Sequence, residues 1–194
     1  FHTAFKVPSR AALGAALDRI RAGWTLEGAS DHYVSEALYL DDPEGNGVEI
    51  YRDLPEDAWP WNDDGTIGIG TAPLDLDAVA AAADSSTTAP AGTTVGHVHL
   101  EVSSIESARD FYNETLGLGV KTAIDSALFL AAGGYHHHIG VNTWHRRSEP
   151  AGGLGLAWFE FVVPETALDG VRNRLSAADV GLTDREAGIS ITDP

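Results

Sequence analysis

The sequence predicts an α+β protein built from repeated strand–helix–three-strand (βαβββ) modules. Three observations carry this reading. Three segments share one pattern: HTAFKVPSRAALGAAL from His2, HVHLEVSSIESARDFY from His97 and WFEFVVPETALDGVRNRL from Trp158. Each alternates in strand fashion to a Val, meets a Ser, Pro or Glu start signal, and continues with helical spacing. After the first two helices come further strand-like runs, SEALYLDD and GVEIYRD in one copy, ALFLAAGG and YHHHIGVN in the other. Composition is that of a packed chain, with 43% hydrophobic and 21% charged residues among 194. No apolar run approaches the roughly 18–20 residues of a membrane span.

The elements follow in order. In the first module, residues 1–53, Pro8 and Ser9 open a helix whose Leu13, Leu17 and Ile20 share one face. Its last two strands are joined by Asp-Pro-Glu-Gly-Asn-Gly from Asp42, a strong turn signal. Residues 54–93 read as a linker, with Trp59 and Trp61, a short helix in DLDAVAAAAD and a flexible SSTTAPAGTT. In the second module, residues 94–147, Ser103 or Ser104 caps a helix through Ala108, Phe111, Tyr112 and Leu116, ended by Gly117. The loop HRRSEPAGG separates it from a third copy, residues 148–194. That copy is expected to be incomplete, since it reaches Asp193-Pro194 where Asp42-Pro43 of the first leads into the last strand.

The net charge is −17, and only Lys6 and Lys121 are lysines. This balance argues against nucleic acid and anionic membranes as partners. The acids are spread along the chain rather than gathered in a tail. Such acidity with few lysines looks like a haloarchaeal protein, so a halophilic, cytoplasmic protein is expected. No signal peptide is visible, although the chain begins at Phe1 rather than Met. The cysteine count is zero, which removes disulfides, thiolate metal sites and Cys nucleophiles.

The repeat, with DPEGN before a strand carrying Glu49, resembles the vicinal oxygen chelate superfamily of glyoxalases, antibiotic-resistance proteins and extradiol dioxygenases. SDHYVSEALYLDDPEGNGVEIY together with AGGYHHHIGVNTW is similar, more narrowly, to the two-domain catechol 2,3-dioxygenase branch. The resemblance implies curved mixed sheets. It also implies four modules, of which this chain would begin at the second and end inside the fourth.

Carried over residue by residue, the resemblance puts His2 and His97 on the first-strand ligand position of their modules. Trp158, at that position in the third copy, cannot bind a metal. Glu49 falls on the last-strand carboxylate position. His2, His97 and Glu49 make a two-His, one-carboxylate set suited to Fe(II), with Mn(II) as the alternative. A single strand His is more often a hydrogen-bonded core or surface residue, so the joint match carries the weight. His99 would face the same side as His97, but it matches Ala4 in the repeat. The site would then form between the two complete modules; sequential pairing would instead place His2 and Glu49 against an upstream module.

His32, 17 residues before Glu49, and Tyr39, ten before it, sit at offsets where these dioxygenases carry groups that hydrogen-bond substrate and O₂. In His136-His137-His138, strand alternation puts His136 and His138 on one face; the resemblance implies a His on this last strand as acid–base group, and matching the apolar run that follows makes it His138. The implied function is ring cleavage of a small aromatic diol by O₂, in a homo-oligomer. The rivals are a glyoxalase-type isomerase or transferase, which usually has a second carboxylate ligand, and a metal-free binding protein. In the latter, Trp59, Trp61, Trp144 and Trp158 would line the cup. The strand matching Glu49 carries histidines, which disfavours the glyoxalase reading.

Overall fold

A computed structural model describes residues 2–146 and 156–193. The first module runs β1 (His2–Lys6), α1 (Arg10–Gly23), β2 (Gly28–Asp31), β3 (Ser35–Asp41) and β4 (Gly47–Asp53). Next come a 3₁₀ turn at Glu56–Ala58, β5 (Ala72–Pro73) and α2 (Leu76–Ala81). The second module runs β6 (Thr94–Glu101), α3 (Ile105–Arg109) continuing as π-helix over Asp110–Thr115, β7 (Gly119–Ile124), β8 (Ala127–Ala131) and β9 (Ile139–Asn142). α4 (Glu165–Ala177), β10 (Leu182–Arg185) and β11 (Gly188–Ile191) complete the described chain. Among the described residues, no helix is long and apolar enough to cross a membrane.

Nine strands form one mixed sheet in the order β5-β2-β3-β4-β1-β6-β9-β8-β7, strongly curled into a half-barrel. Each module contributes four strands, and the two first strands, β1 and β6, pair antiparallel at the centre. Alternation along each strand divides the sheet into two chemistries. On β4, Ile50 packs outward against α1, whereas Glu49, Tyr51 and Asp53 share the inner face. The outer face is oily: Leu13, Ala16, Leu17 and Ile20 of α1 meet Leu38 of β3 and Val79 of α2. Second-module residues Val98, Leu128, Leu130, Ile139 and Val141 similarly pack on Ala108, Phe111 and Tyr112. The wider π turn brings consecutive Phe111 and Tyr112 both into this core.

The helix starts follow their side chains. Ser9 Oγ accepts from Ala12 N at 3.1 Å, a cap worth about 1 kcal/mol. Of the two serines before α3, Ser104 is the cap, accepting from Ser107 N. Asp75 caps α2 in the same way.

Two regions differ from the sequence reading. Residues 54–93 do more than connect: β5 extends the sheet, and Trp59 and Ile67 pack with Val34 and Tyr135 across the two modules. In the third copy, the run from Trp158 to Val163 forms no strand. In the first two modules the opening strand pairs with the fourth strand, β1 with β4 and β6 with β9. Among the described residues the third copy has only the β10–β11 pair after its helix, so its opening run has no such partner. Phe159, Val180 and Ile191 instead pack on the outer core of the second module. Residues 147–155, most of the HRRSEPAGG loop, lie outside the described residues.

Candidate metal centre

The ladder registers bring the inner-face residues together. Ala4 on β1 pairs with Glu49 on β4 and with His97 on β6, while His2 pairs with His99. One ligand atom each from His2, Glu49 and His97 lie within 4.8 Å of one another. His2 Nε2 and His97 Nε2 stand 2.9 and 3.2 Å from the same oxygen, Glu49 Oε2. Cis ligands about 2.1 Å from one ion sit about 3 Å apart, so this spacing suits a shared cation. His2 Nε2 is buried, and despite its closeness to the carboxylate it has no hydrogen-bond partner. A buried nitrogen left without a partner is costly in an apolar interior and natural for a metal ligand. Burial is the largest influence on Glu49 and pushes its carboxyl up, but His97 and His2 together outweigh it and hold it well below the usual range. The carboxylate is therefore charged, as coordination requires. Burial pushes His97 down, towards the neutral imidazole, although the Glu49 charge opposes this.

A bulge shapes the neighbourhood. The register between β1 and β6 shifts beyond Ala4, so that Gly96 is left between the paired His97 and Val95. A Cβ at Gly96 would collide with Tyr51 Oη, and it is this approach that lets the Tyr51 ring lie 4.9 Å from the His97 ring.

Tyr39 lies directly opposite Glu49 on the β3–β4 hairpin. Its Oη is 2.7 Å from His32 Nε2, and His32 Nδ1 is 2.7 Å from the Gly70 carbonyl. A carbonyl only accepts, so Nδ1 carries the proton and Nε2 accepts from the Tyr39 hydroxyl. Burial and the Glu49 charge push the Tyr39 hydroxyl up, keeping it protonated. His2 and Tyr39 flank a cleft of ≈ 200 Å³ that also reaches Leu40 and Val48.

His99 and Gly140 pair on β6 and β9 as Ala4 and Glu49 do on β1 and β4. The second-module counterpart of Glu49 is therefore a glycine rather than one of the histidines. The His99 ring fills the place: a Cβ on Gly140 would lie 3.0 Å from His99 Cγ. Burial, with the nearby His2 and His97, pushes His99 down to about 3. It is a neutral ring, against Phe129 and Trp144.

The three consecutive histidines do not alternate as strand residues, because β9 begins at Ile139, after them. His138 stacks on Tyr135, and its Nδ1 accepts from Ala132 N. His137 is the one beside His97, its ring 4.1 Å from that of His97 and 5.1 Å from Phe129. Burial, then His97, His136 and the other imidazoles, push His137 well below the ordinary histidine value. His136 is fully buried against Trp59, with Nδ1 2.8 Å from His137 Nδ1 and Nε2 2.8 Å from Asp53 Oδ1. Asp53 was not singled out in the sequence, yet period-two counting from Glu49 reaches it on the same face. Of the four tryptophans expected to line a cup, Trp59 is buried beside His136 and Trp144 adjoins His99. Trp61 stacks on Trp59, and Trp158 is 74% exposed.

The model of the glyoxalase/bleomycin resistance protein/dioxygenase superfamily matches residues 94–186. A catechol-2,3-dioxygenase of Bacillus subtilis is 39% identical over 202 residues, covering 100% of this chain and 71% of that protein. Among solved structures, a provisionally assigned dioxygenase of Bacillus subtilis superposes with a TM-score of 0.53 at 14% identity, a likeness of fold alone. That match covers 94% of this chain and 53% of the other, so the chain spans about half the length of that structure.

Proposed function

The chain belongs to the glyoxalase/bleomycin resistance protein/dioxygenase superfamily, and from that premise we propose that it is a metal-dependent extradiol dioxygenase opening catechol-type rings with O₂. The observation that carries the reading is the convergence of His2, Glu49 and His97 on one point. Two neutral imidazoles and a carboxylate leave an Fe(II), or alternatively Mn(II), with net positive charge and free positions. When bound, that ion supplies Lewis acidity and an electron path between the diol and O₂.

The remaining work falls to side chains. The Tyr39 hydroxyl, its proton given to His32 Nε2, stands beside the proposed carboxylate ligand, where its oxygen can accept a hydrogen bond from a substrate hydroxyl and orient the ring. Phe129 and Trp144 give the His99 side of the site an aromatic wall. A diol needs a base. His138 faces Tyr135, so the acid–base role is assigned to His137, which lies against the His97 ligand. Its Nδ1 is engaged by His136, which leaves Nε2 to accept a catechol proton and later return it. A second-module carboxylate ligand, expected of a glyoxalase-type site, has its place taken by Gly140.

The test is oxygen uptake. Anaerobic protein loaded with Fe(II) and given catechol, then air, should consume O₂ and form a yellow ring-opened product, and Glu49→Gln should do neither. The −17 charge makes molar KCl a medium to run beside dilute buffer. No uptake by folded, iron-loaded protein in either medium overturns the reading.

A further inference from the structure

We propose that Asp53 is a positioning residue for this centre: acting through His136, it fixes which nitrogen of His137 carries the proton. This rests on the assignment of His137 as proton acceptor above.

The logic is donor and acceptor counting along one chain of hydrogen bonds. An ionised carboxylate only accepts, so the 2.8 Å contact between Asp53 Oδ1 and His136 Nε2 places a proton on that nitrogen. The other nitrogen of a neutral His136, Nδ1, is then a lone pair. It lies 2.8 Å from His137 Nδ1, which must therefore be the donor. His137 is left with its lone pair on Nε2, the atom assigned to the substrate. The arrangement is the carboxylate–imidazole orientation device with one more imidazole inserted.

Asp53 is itself held. Its Oδ1 accepts from Tyr135 Oη at 3.2 Å, Lys6 Nζ is 3.4 Å from Oδ2, and the same Lys6 lies over the Tyr135 ring at 4.9 Å. Tyr51 Oη is 2.8 Å from Tyr135 Oη. Glu49, Tyr51 and Asp53, successive inner-face residues of β4, thus serve as ligand, ligand packing and orientation of the base.

Two-bond ¹H–¹⁵N spectra of ¹⁵N-histidine-labelled full chain, with and without Zn(II) as a diamagnetic stand-in, read each tautomer directly. The expected wild-type result is a proton on Nε2 of His136 and on Nδ1 of His137. In Asp53→Ala the His137 proton should divide between its two nitrogens. With iron, that variant should lose roughly 10–100-fold in kcat at unchanged metal content and KM, and Asp53→Glu should recover part of the loss. A wild-type His137 proton on Nε2 overturns the proposal, even if Asp53→Ala fails to fold. So does an Asp53→Ala protein with the wild-type tautomers. The spectra locate these protons whether or not the protein cleaves catechol, so the two readings fail separately.

Discussion

Tyr39 and Glu49 meet across a single rung of the β3–β4 hairpin, so the proposed ligand and its hydroxyl neighbour are held by backbone geometry rather than by side-chain reach. The turn that sets this rung is closed by Asp42, whose Oδ1 accepts from Glu44 N and Asn46 N and whose Oδ2 accepts from Asn46 Nδ2. Tyr39→Phe removes the hydroxyl and leaves the ring. The three ligand atoms keep their supports, so metal content should stay at the wild-type level. Turnover of catechol should fall roughly 100-fold, the cost of losing one group that orients the substrate for reaction. Metal analysis beside steady-state kinetics decides it, and joint loss of metal and activity would mean that Tyr39 instead holds the site together. At this scale, the heads of two modules and the Glu49 strand were legible because residue type and repeat position agreed twice. The histidine triplet was not: which His turns inward depends on where β9 begins, and the apolar pattern cannot show that the ladder opens at Ile139. Asp53 was hidden for another reason, since an acid at a strand end is ordinarily a solvated residue.

At the scale of elements, the centre depends on the irregular step in β6. A regular ladder would carry the β1–β6 pairing straight through Val95. The register shift at Gly96 instead opens room for Tyr51, whose ring then packs on His97. Gly96→Ala places a methyl group where the Tyr51 hydroxyl lies. That hydroxyl belongs to a fully buried side chain in contact with Tyr135, so it has little freedom to withdraw. We expect Gly96→Ala to cost about 1–3 kcal/mol of stability by overpacking. Metal affinity should fall as well, through the displaced His97. Urea unfolding with metal titration checks both, and a variant unchanged in both would remove Tyr51 as the support of His97. A bulge of this kind leaves little trace in sequence: GHVHL reads as a plain alternating strand. The βαβββ order was legible because periods of two and near four alternate along the chain. The missing strand at Trp158–Val163 was not, because strand formation needs a partner and alternation records only a face.

At the scale of the molecule, the half-barrel is two modules joined by the β1–β6 ladder and by the Val34, Trp59, Ile67 and Tyr135 cluster. The proposed ligands straddle that joint, His2 and Glu49 on one side and His97 on the other. An ion bound there cross-links the modules in the folded state only, because the unfolded chain does not gather residues 2, 49 and 97. Linkage then requires the ion to raise stability by about 2.7 kcal/mol at a hundredfold excess over Kd. For a chain of this length that corresponds to a rise in Tm of roughly 5–10 °C. The acidic surface complicates the measurement, since a −17 protein attracts divalent cations without any built site. His97→Ala separates the two effects: it leaves every acidic residue in place and removes one ligand from across the joint. Calorimetry with chelator and then with saturating Mn(II) should show the full shift in wild type and only the small, salt-like remainder in His97→Ala. Equal shifts in both proteins would assign the stabilisation to surface binding and deny the triad its ion. A wild-type protein indifferent to metal would leave His2 Nε2 as a buried nitrogen with no partner of any kind.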